Sequence, residues 1–215
     1  MSITPEIDKW LIIAGYEYHC FISWAHTKNK DMTECARIMK QEIEQKLALS
    51  IPDPRVFLDE SEIFGGADWE RVLLRALCRS VSMVSLCAPI YYHPTHPWCG
   101  REWAAMLKLS QKRLPQEEFK AIIPLLLKRG ELPNAVATIQ FIDFSPLMLR
   151  GRNYYRTNDF KDKIQQIVDQ IELIAQTIAV NQSMTDCGEF MLPFESAFSD
   201  YQARALGLPL RGNPV

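Results

Sequence analysis

An aromatic residue and a carboxylate lie four positions apart in residues 97–103, which read PWCGREW. Because residues at i and i+4 share one face of a helix, we expect Trp98 and Glu102 to stand side by side at the edge of a cleft. The sequence also predicts that Glu102 lies in a first helical turn, where the helix dipole favours the charged carboxylate. A fixed negative charge beside a flat apolar wall suits stabilisation of a cation formed from a ring-bearing substrate.

The same spacing also fits structural roles for both residues. Acidic residues in a first helical turn commonly do no more than complement the dipole or cap the helix. Trp98 can in the same way simply pack its helix against a sheet. The surrounding elements therefore have to decide whether this pair belongs to a functional site.

Composition excludes several classes of protein for this chain of 215 residues, of which 47% are hydrophobic. The net charge of −2 and the absence of a basic run argue against nucleic-acid binding. No apolar run reaches the ~20 residues that span a bilayer, so we expect no membrane segment. The N-terminus lacks a basic stretch followed by an apolar one, so we expect no signal peptide and a cytoplasmic location.

Cysteine usage predicts reduced, buried thiols in a reducing compartment, because no CxxC pair occurs and four of the six lie in apolar runs. The six are Cys20, Cys35, Cys78, Cys87, Cys99 and Cys187. The four histidines do not combine with them at metal-ligand spacing, so neither a disulfide framework nor a metal site is expected.

Short apolar runs alternate with helical patterns along most of the chain. Near-continuous apolar strands that alternate with helices predict an α/β fold with a five-stranded parallel sheet covered on both faces, a flavodoxin-like three-layer sandwich. The predicted strands are residues 18–24, 56–58, 81–87, 121–127 and 139–144. Between them lie amphipathic helices, and a long apolar stripe follows within residues 160–180. Its heptad-like spacing also permits packing against a partner helix.

Ligand crevices of such sheets lie beyond the carboxyl ends of the strands. The loops expected there are residues 23–31, 59–68 and 89–97, and Glu102 follows the third of them. Residues 1–14 are expected to be an N-terminal extension, and residues 181–215 a C-terminal extension with a short helix ended by Gly207. That tail could shield the cleft or stabilise an assembly.

Four segments in a fixed order resemble the TIR (Toll/interleukin-1 receptor) domain family over residues 15–180. Residues 21–24 (FISW) resemble the opening box of the family, and residues 56–59 (VFLD) its second strand, followed by Ile63, Gly66 and Trp69. Residues 80–91 are similar to the third strand with its S-P-x-Y ending. Residues 98–102 match the W-C-x-x-E segment.

The resemblance implies an enzyme that cleaves NAD, as a substrate and with no bound cofactor, at its nicotinamide–ribose bond, with Glu102 as the catalytic residue. It implies that the substrate-binding residues are Ser23, Trp24, Ala25, His26, Trp98 and Cys99. Many family members carry arginine at the position of Ala25, so His26 or Lys28 could supply the phosphate contact here. The sequence places no pair of histidine and Asn or Asp to activate Cys99, although His93 and His96 lie nearby, so Cys99 is not expected to be a nucleophile.

By the same resemblance, the loop after the second strand joins neighbouring subunits and helps to complete their sites. Its residues are Asp59, Ile63, Phe64, Gly65, Gly66 and Trp69. Phe64 is the residue expected to be exposed, and Asp59 is expected to cap the loop rather than act as a second acid. The paired glycines do not have the spacing of a P-loop or a dinucleotide fingerprint.

Three functions remain open from the sequence. The first is a stand-alone NAD-cleaving enzyme of bacterial type that self-associates, forms ADP-ribose or a cyclic isomer, and works in antiviral immune signalling with a separate sensor or effector. The second is a non-catalytic adaptor that binds other TIR domains, although an adaptor need not retain the glutamate. The third is a nucleoside deoxyribosyltransferase of related fold, which residues 56–69 fit poorly.

Overall fold

One parallel sheet of five short strands forms the centre of the part of the chain that the computed structural model describes, which is residues 3–28, 30–59, 68–151, 153–185, 187–188 and 190–207. The strands are β1 Tyr18–Ser23, β2 Val56–Phe57, β3 Ser80–Cys87, β4 Ile122–Leu126 and β5 Ile142–Asp143. Their spatial order is β2-β1-β3-β4-β5, the order of flavodoxin-like folds. The predicted fold class is therefore confirmed.

Helices connect the strands and cover the sheet. They are α1 Pro5–Ile13, α2 Lys30–Leu47, α3 Trp69–Cys78, α4 Pro97–Arg113, α5 Asn134–Ala137, α6 Ser145–Met148, α7 Asn158–Val180 and α8 Ser199–Ala205. Two 3₁₀ turns cover Pro89–Tyr92 and Tyr154–Arg156. The helix α7 contacts α1, α2 and the central strands, while α3 contacts α4. The first helix is thus packed onto the domain through α7.

The apolar stripe of α7 is buried, as its spacing predicts. Its residues are Ile164, Ile167, Val168, Ile171, Ile174, Ala175 and Ile178. Thr157 begins the helix, because its hydroxyl accepts a hydrogen bond from the amide of Phe160. Since the sheet and two helices of the same chain cover this stripe, it is not available to a partner helix.

Both edge strands are shorter than the sequence predicts. The ladder of β5 covers Ile142–Asp143 rather than residues 139–144, and β2 ends at Phe57. The interior strands β1, β3 and β4 lie within a residue of their predicted bounds. An edge strand pairs on one side alone, so a run of apolar residues there does not ensure a long ladder.

The cysteine prediction is wrong for one pair, because Cys78 at the end of α3 is disulfide-bonded to Cys187 in the tail. The two lie 109 residues apart in sequence, and the tail brings them together with a Cα–Cα distance of 6.0 Å. The other four cysteines are free and buried, as predicted. The pairing removes the argument for a reducing compartment that rested on six reduced thiols.

Two further sequence expectations concern membranes and metals. None of the described helices combines the length and apolar character needed to cross a bilayer. Among the described residues, no three His, Cys, Asp or Glu side chains come together as a group that could hold a metal ion.

Candidate functional site

Glu102 lies in the second turn of α4, not in the first turn as the sequence predicts. The helix begins at Pro97, which is pre-organised for a first helical position, so Glu102 is its sixth residue. The dipole effect falls off within the first turn and is weak at that position. Only 6% of the surface of Glu102 is exposed. Its environment is therefore set by burial and by its hydrogen-bond partners.

A chain of short hydrogen bonds links Glu102 to two other elements. The hydroxyl of Ser23, the last residue of β1, donates to Oε2 of Glu102 at 2.5 Å. The hydroxyl of Tyr91, in the turn after β3, lies 2.6 Å from Oγ of Ser23. Because β1 and β3 are paired, with Ser23 opposite Ser85, their carboxyl ends bring these residues together. Three elements thus converge on one carboxyl group.

Burial raises the pKa of Glu102 to about 8, and the negative charge of Asp59 adds to the rise. The hydrogen bond from Ser23 acts in the opposite direction, since it favours the charged carboxylate. The free protein therefore holds Glu102 mainly as a neutral acid at pH 7. This is opposite to the dipole-based expectation, because loss of hydration outweighs the local field.

Asp59 ties together two of the residues expected to bind substrate. One of its carboxylate oxygens accepts a hydrogen bond from the indole of Trp24 at 3.0 Å, and the other lies 2.6 Å from Nε2 of His26. The Trp24 and His26 rings stack with centroids 4.3 Å apart. Asp59 thus anchors the loop after β1 to the end of β2. Ala25, which separates the two residues in sequence, is fully buried, whereas the His26 side chain is half-exposed.

Trp98 and Cys99 occupy different surroundings. The half-buried Trp98 meets Trp69 edge to face at 4.4 Å, and the guanidinium of Arg101 lies over its ring at 4.3 Å. Cys99 is buried, and its thiol donates to the carbonyl of Trp24 at 3.6 Å. Burial raises the pKa of the Cys99 thiol, as do the charges of Glu102 and Cys87, so the reactive thiolate is disfavoured.

The predicted assembly loop is described only at its two ends. Ile63, Phe64, Gly65 and Gly66 lie outside the described residues, so their expected roles stay predictions. Trp69 begins α3, just after Asp68 caps that helix, and 37% of its surface is exposed.

A separate cavity of about 490 Å³ opens at the same side of the sheet, where the strands have their carboxyl ends. It lies beyond the ends of β3 and β4, where Ala88 and Leu127 line it, and it extends to Cys35 of α2 and to Tyr154. Glu102 is not part of its lining. The cavity and the buried carboxyl group are therefore two distinct features at the carboxyl ends of the strands.

Tyr91 is the member of the hydrogen-bond chain that site prediction from sequence missed. The sequence analysis placed it in the loop after the third strand, as the tyrosine of the S-P-x-Y ending, and gave it no role in the site. The sequence feature that could have assigned Tyr91 to the site is its position two residues after Pro89, at the carboxyl end of a buried strand that neighbours β1. A tyrosine there can reach across to the end of the neighbouring strand.

Matches to solved structures were found at low identity. The TIR domain of the Toll-related receptor TRR-2 from Hydra magnipapillata is 17% identical, with a TM-score of 0.45, over 69% of this chain and 99% of that one. A metazoan TIR-STING receptor from C. gigas, in complex with 2',3'-cGAMP, is 20% identical with a TM-score of 0.45. That match covers 74% of this chain and 40% of the receptor.

No protein of curated function matches the chain. The family model described as TIR domain matches residues 20–168, which is more than half of the chain. These residues include four strands in full and β1 from residue 20, together with the hydrogen-bond chain at Glu102 and both ends of the loop after β2. The chain belongs to the TIR domain family.

Proposed function

We propose that this protein cleaves NAD at the nicotinamide–ribose bond and that Glu102 is its catalytic residue. One observation carries the proposal. A carboxyl group with a pKa raised to about 8 is buried between the ends of β1 and β3, in a family that includes NAD-cleaving enzymes. Strongly perturbed carboxyl groups cluster at functional sites. This one lies at the carboxyl ends of the strands, where folds of this type bind ligands.

The chemistry follows from the charges of the reactants. The nicotinamide ring of NAD is a pyridinium cation, and a cation close to a carboxyl group lowers its pKa. Binding of NAD is therefore expected to ionise Glu102 and release its proton. Loss of neutral nicotinamide leaves an oxocarbenium-like ribose, which the carboxylate stabilises. Ser23 holds one carboxylate oxygen and leaves the other for the ribose.

Capture of the ribose cation decides the product. Water adds to the anomeric carbon and loses a proton, which gives ADP-ribose, whereas attack by the adenine of the same molecule gives a cyclic isomer. Mass spectrometry of the products separates the two. Following the sequence resemblance, we infer that the protein self-associates when active and passes its product to a separate effector in antiviral defence. The cytoplasmic location expected from the sequence stays a prediction.

The test is nicotinamide release from NAD at high protein concentration. Removing a group that stabilises transition-state charge costs about 3–4 kcal/mol, so Glu102→Ala is expected to lower the rate about 10²- to 10³-fold. Glu34→Ala removes an exposed carboxylate from the second turn of α2 and serves as the matched control. Release at the wild-type rate by Glu102→Ala would refute the assignment.

A non-catalytic adaptor is the second candidate, and the low exposure of Glu102 favours it. A carboxyl group with 6% of its surface exposed can be a structural element of the strand-end network. An adaptor would bind other TIR domains and release no nicotinamide. Sedimentation and NAD turnover measured on the same sample, with and without TIR partners, distinguish the two functions.

A further inference from the structure

The C-terminal tail packs on the helix that carries Glu102. The amide of Ala197 donates to the carbonyl of Gly100 at 2.9 Å, and Nε of Arg101 donates to the carbonyl of Pro193 at 2.8 Å. The approach at Gly100 is so close that a Cβ there would lie 1.8 Å from Oγ of Ser196. Glycine at position 100 is therefore what allows the tail to lie against α4.

The same tail also holds the turn that supplies Tyr91. Phe198 is 1% exposed, and its ring centroid lies 5.9 Å from that of Tyr91, 5.2 Å from Tyr92 and 5.6 Å from Trp103 of α4. The side-chain amide of Gln202 donates to the carbonyl of Tyr92 at 3.2 Å. The tail thus contacts both elements whose side chains meet at Ser23.

We propose that residues 196–202, centred on Phe198, position Tyr91 and the first turns of α4 so that the hydrogen-bond chain of Tyr91, Ser23 and Glu102 can form. The role rests on the proposed function, since it concerns the geometry of the same site. No hydrogen bond joins Phe198 to Glu102, so Phe198 is a positioning residue.

The turn that carries Tyr91 needs tertiary contacts to fix its conformation. We call the packing of residues 196–202 on this turn and on α4 the clamp. The 3₁₀ segment Pro89–Tyr92 is four residues long, and such short segments have little stability of their own. Aromatic packing from Phe198 and the hydrogen bond from Gln202 supply tertiary contacts that fix it. A misplacement of about 1 Å at a reacting group can lower a rate about 10²-fold.

Gly100→Ala tests the clamp with little harm to the helix, because alanine is a better helix former than glycine. The added methyl group collides with Oγ and Cβ of Ser196 and forces the tail away. At about pH 10, where Glu102 is ionised in both proteins, we expect kcat for nicotinamide release to fall about 10- to 100-fold, with KM for NAD within about twofold. Ser196→Gly removes both of those atoms and leaves one close contact, with Cδ2 of Phe198 3.1 Å from the added methyl group. The double variant should therefore recover most of the rate of Ser196→Gly alone.

Phe194→Ala is the matched control for Phe198→Ala, since 87% of Phe194 is exposed. We expect wild-type kcat for Phe194→Ala and a reduced kcat for Phe198→Ala, with the folded fraction of each checked by circular dichroism. Wild-type kcat in Gly100→Ala would overturn the proposal. So would a loss in Gly100→Ala that Ser196→Gly does not recover.

A second measurement does not depend on activity. Infrared titration of the carboxyl stretch reports the pKa of Glu102, with Glu102→Gln used to assign the band. Displacement of the tail admits water, so in Gly100→Ala the pKa should fall from about 8 toward its ordinary value. If Glu102→Ala left turnover unchanged, the proposed function would fail, while an unchanged pKa in Gly100→Ala would refute the clamp alone.

Discussion

Replacing Ser23 with alanine is expected to move the pH dependence of NAD cleavage upward. The pH profile of kcat/KM reports groups of the free enzyme, where burial raises the pKa of Glu102 to about 8. If the reaction needs the carboxylate, kcat/KM rises about tenfold per pH unit up to that pKa and then levels off. At pH 7 about one-tenth of the sites are ionised.

The size of the shift follows from the hydrogen bond that is lost. A hydrogen bond to a charged group contributes about 1.5–3 kcal/mol, and 1.36 kcal/mol corresponds to one pKa unit. Water entering the space left by the Ser23 hydroxyl replaces part of that contribution. We therefore expect the midpoint of the profile to rise by about one unit. At pH 7 kcat/KM should fall about tenfold, while at high pH it should approach the wild-type plateau.

Asp59→Asn provides the opposite perturbation at the same site. It removes the negative charge that raises the pKa of Glu102, yet retains an oxygen that can accept from the Trp24 indole. The midpoint should therefore move to lower pH. The assay is nicotinamide release at low NAD concentration from about pH 5 to 10. A midpoint that stays in place or falls in Ser23→Ala would refute the reasoning, as would one that rises in Asp59→Asn.

Two predictions concern stability. The folded chain binds a proton at Glu102 that the unfolded chain releases near its ordinary pKa of 4.5, so stability should fall by up to about 1.4 kcal/mol per unit as pH rises from there to about 8. Glu102→Gln cannot ionise and should resist urea better than wild type at about pH 9, and an equal or lower urea midpoint would contradict this. Reduction of the Cys78–Cys187 disulfide should cost about 2–4 kcal/mol and lower Tm. A reductant should leave the already lowered Tm of Cys187→Ser unchanged, and a drop there would show that the effect lies elsewhere.

The sequence predicts those parts of the fold that periodicity encodes. The stripe of α7 repeats every three or four residues, and all seven of its members are buried. The apolar runs of β1, β3 and β4 are long enough to indicate strands buried on both faces. Such patterns are local, and the alternation of strands with helices then restricts the sheet to few topologies.

Features of the candidate site that depend on distant contacts could not be predicted in this way. The pKa of Glu102 depends on burial by several elements, whereas the dipole argument used only its own helix. The tail meets Gly100 and Tyr91 through Ser196 and Phe198, about a hundred residues away in sequence, and no local pattern encodes that contact. The pairing of Cys78 with Cys187 could not be predicted for the same reason, because the two residues are far apart in sequence.

The two edges of the sheet limit how copies of this chain can join. At each edge, β2 and β5 carry a ladder of two residues, which offers almost no row of backbone groups for an incoming strand. The self-association proposed above therefore cannot extend by continuous strand pairing from one molecule to the next. Its contacts would have to come from side chains on helices and connecting loops, so surface substitutions there should control assembly without changing the sheet.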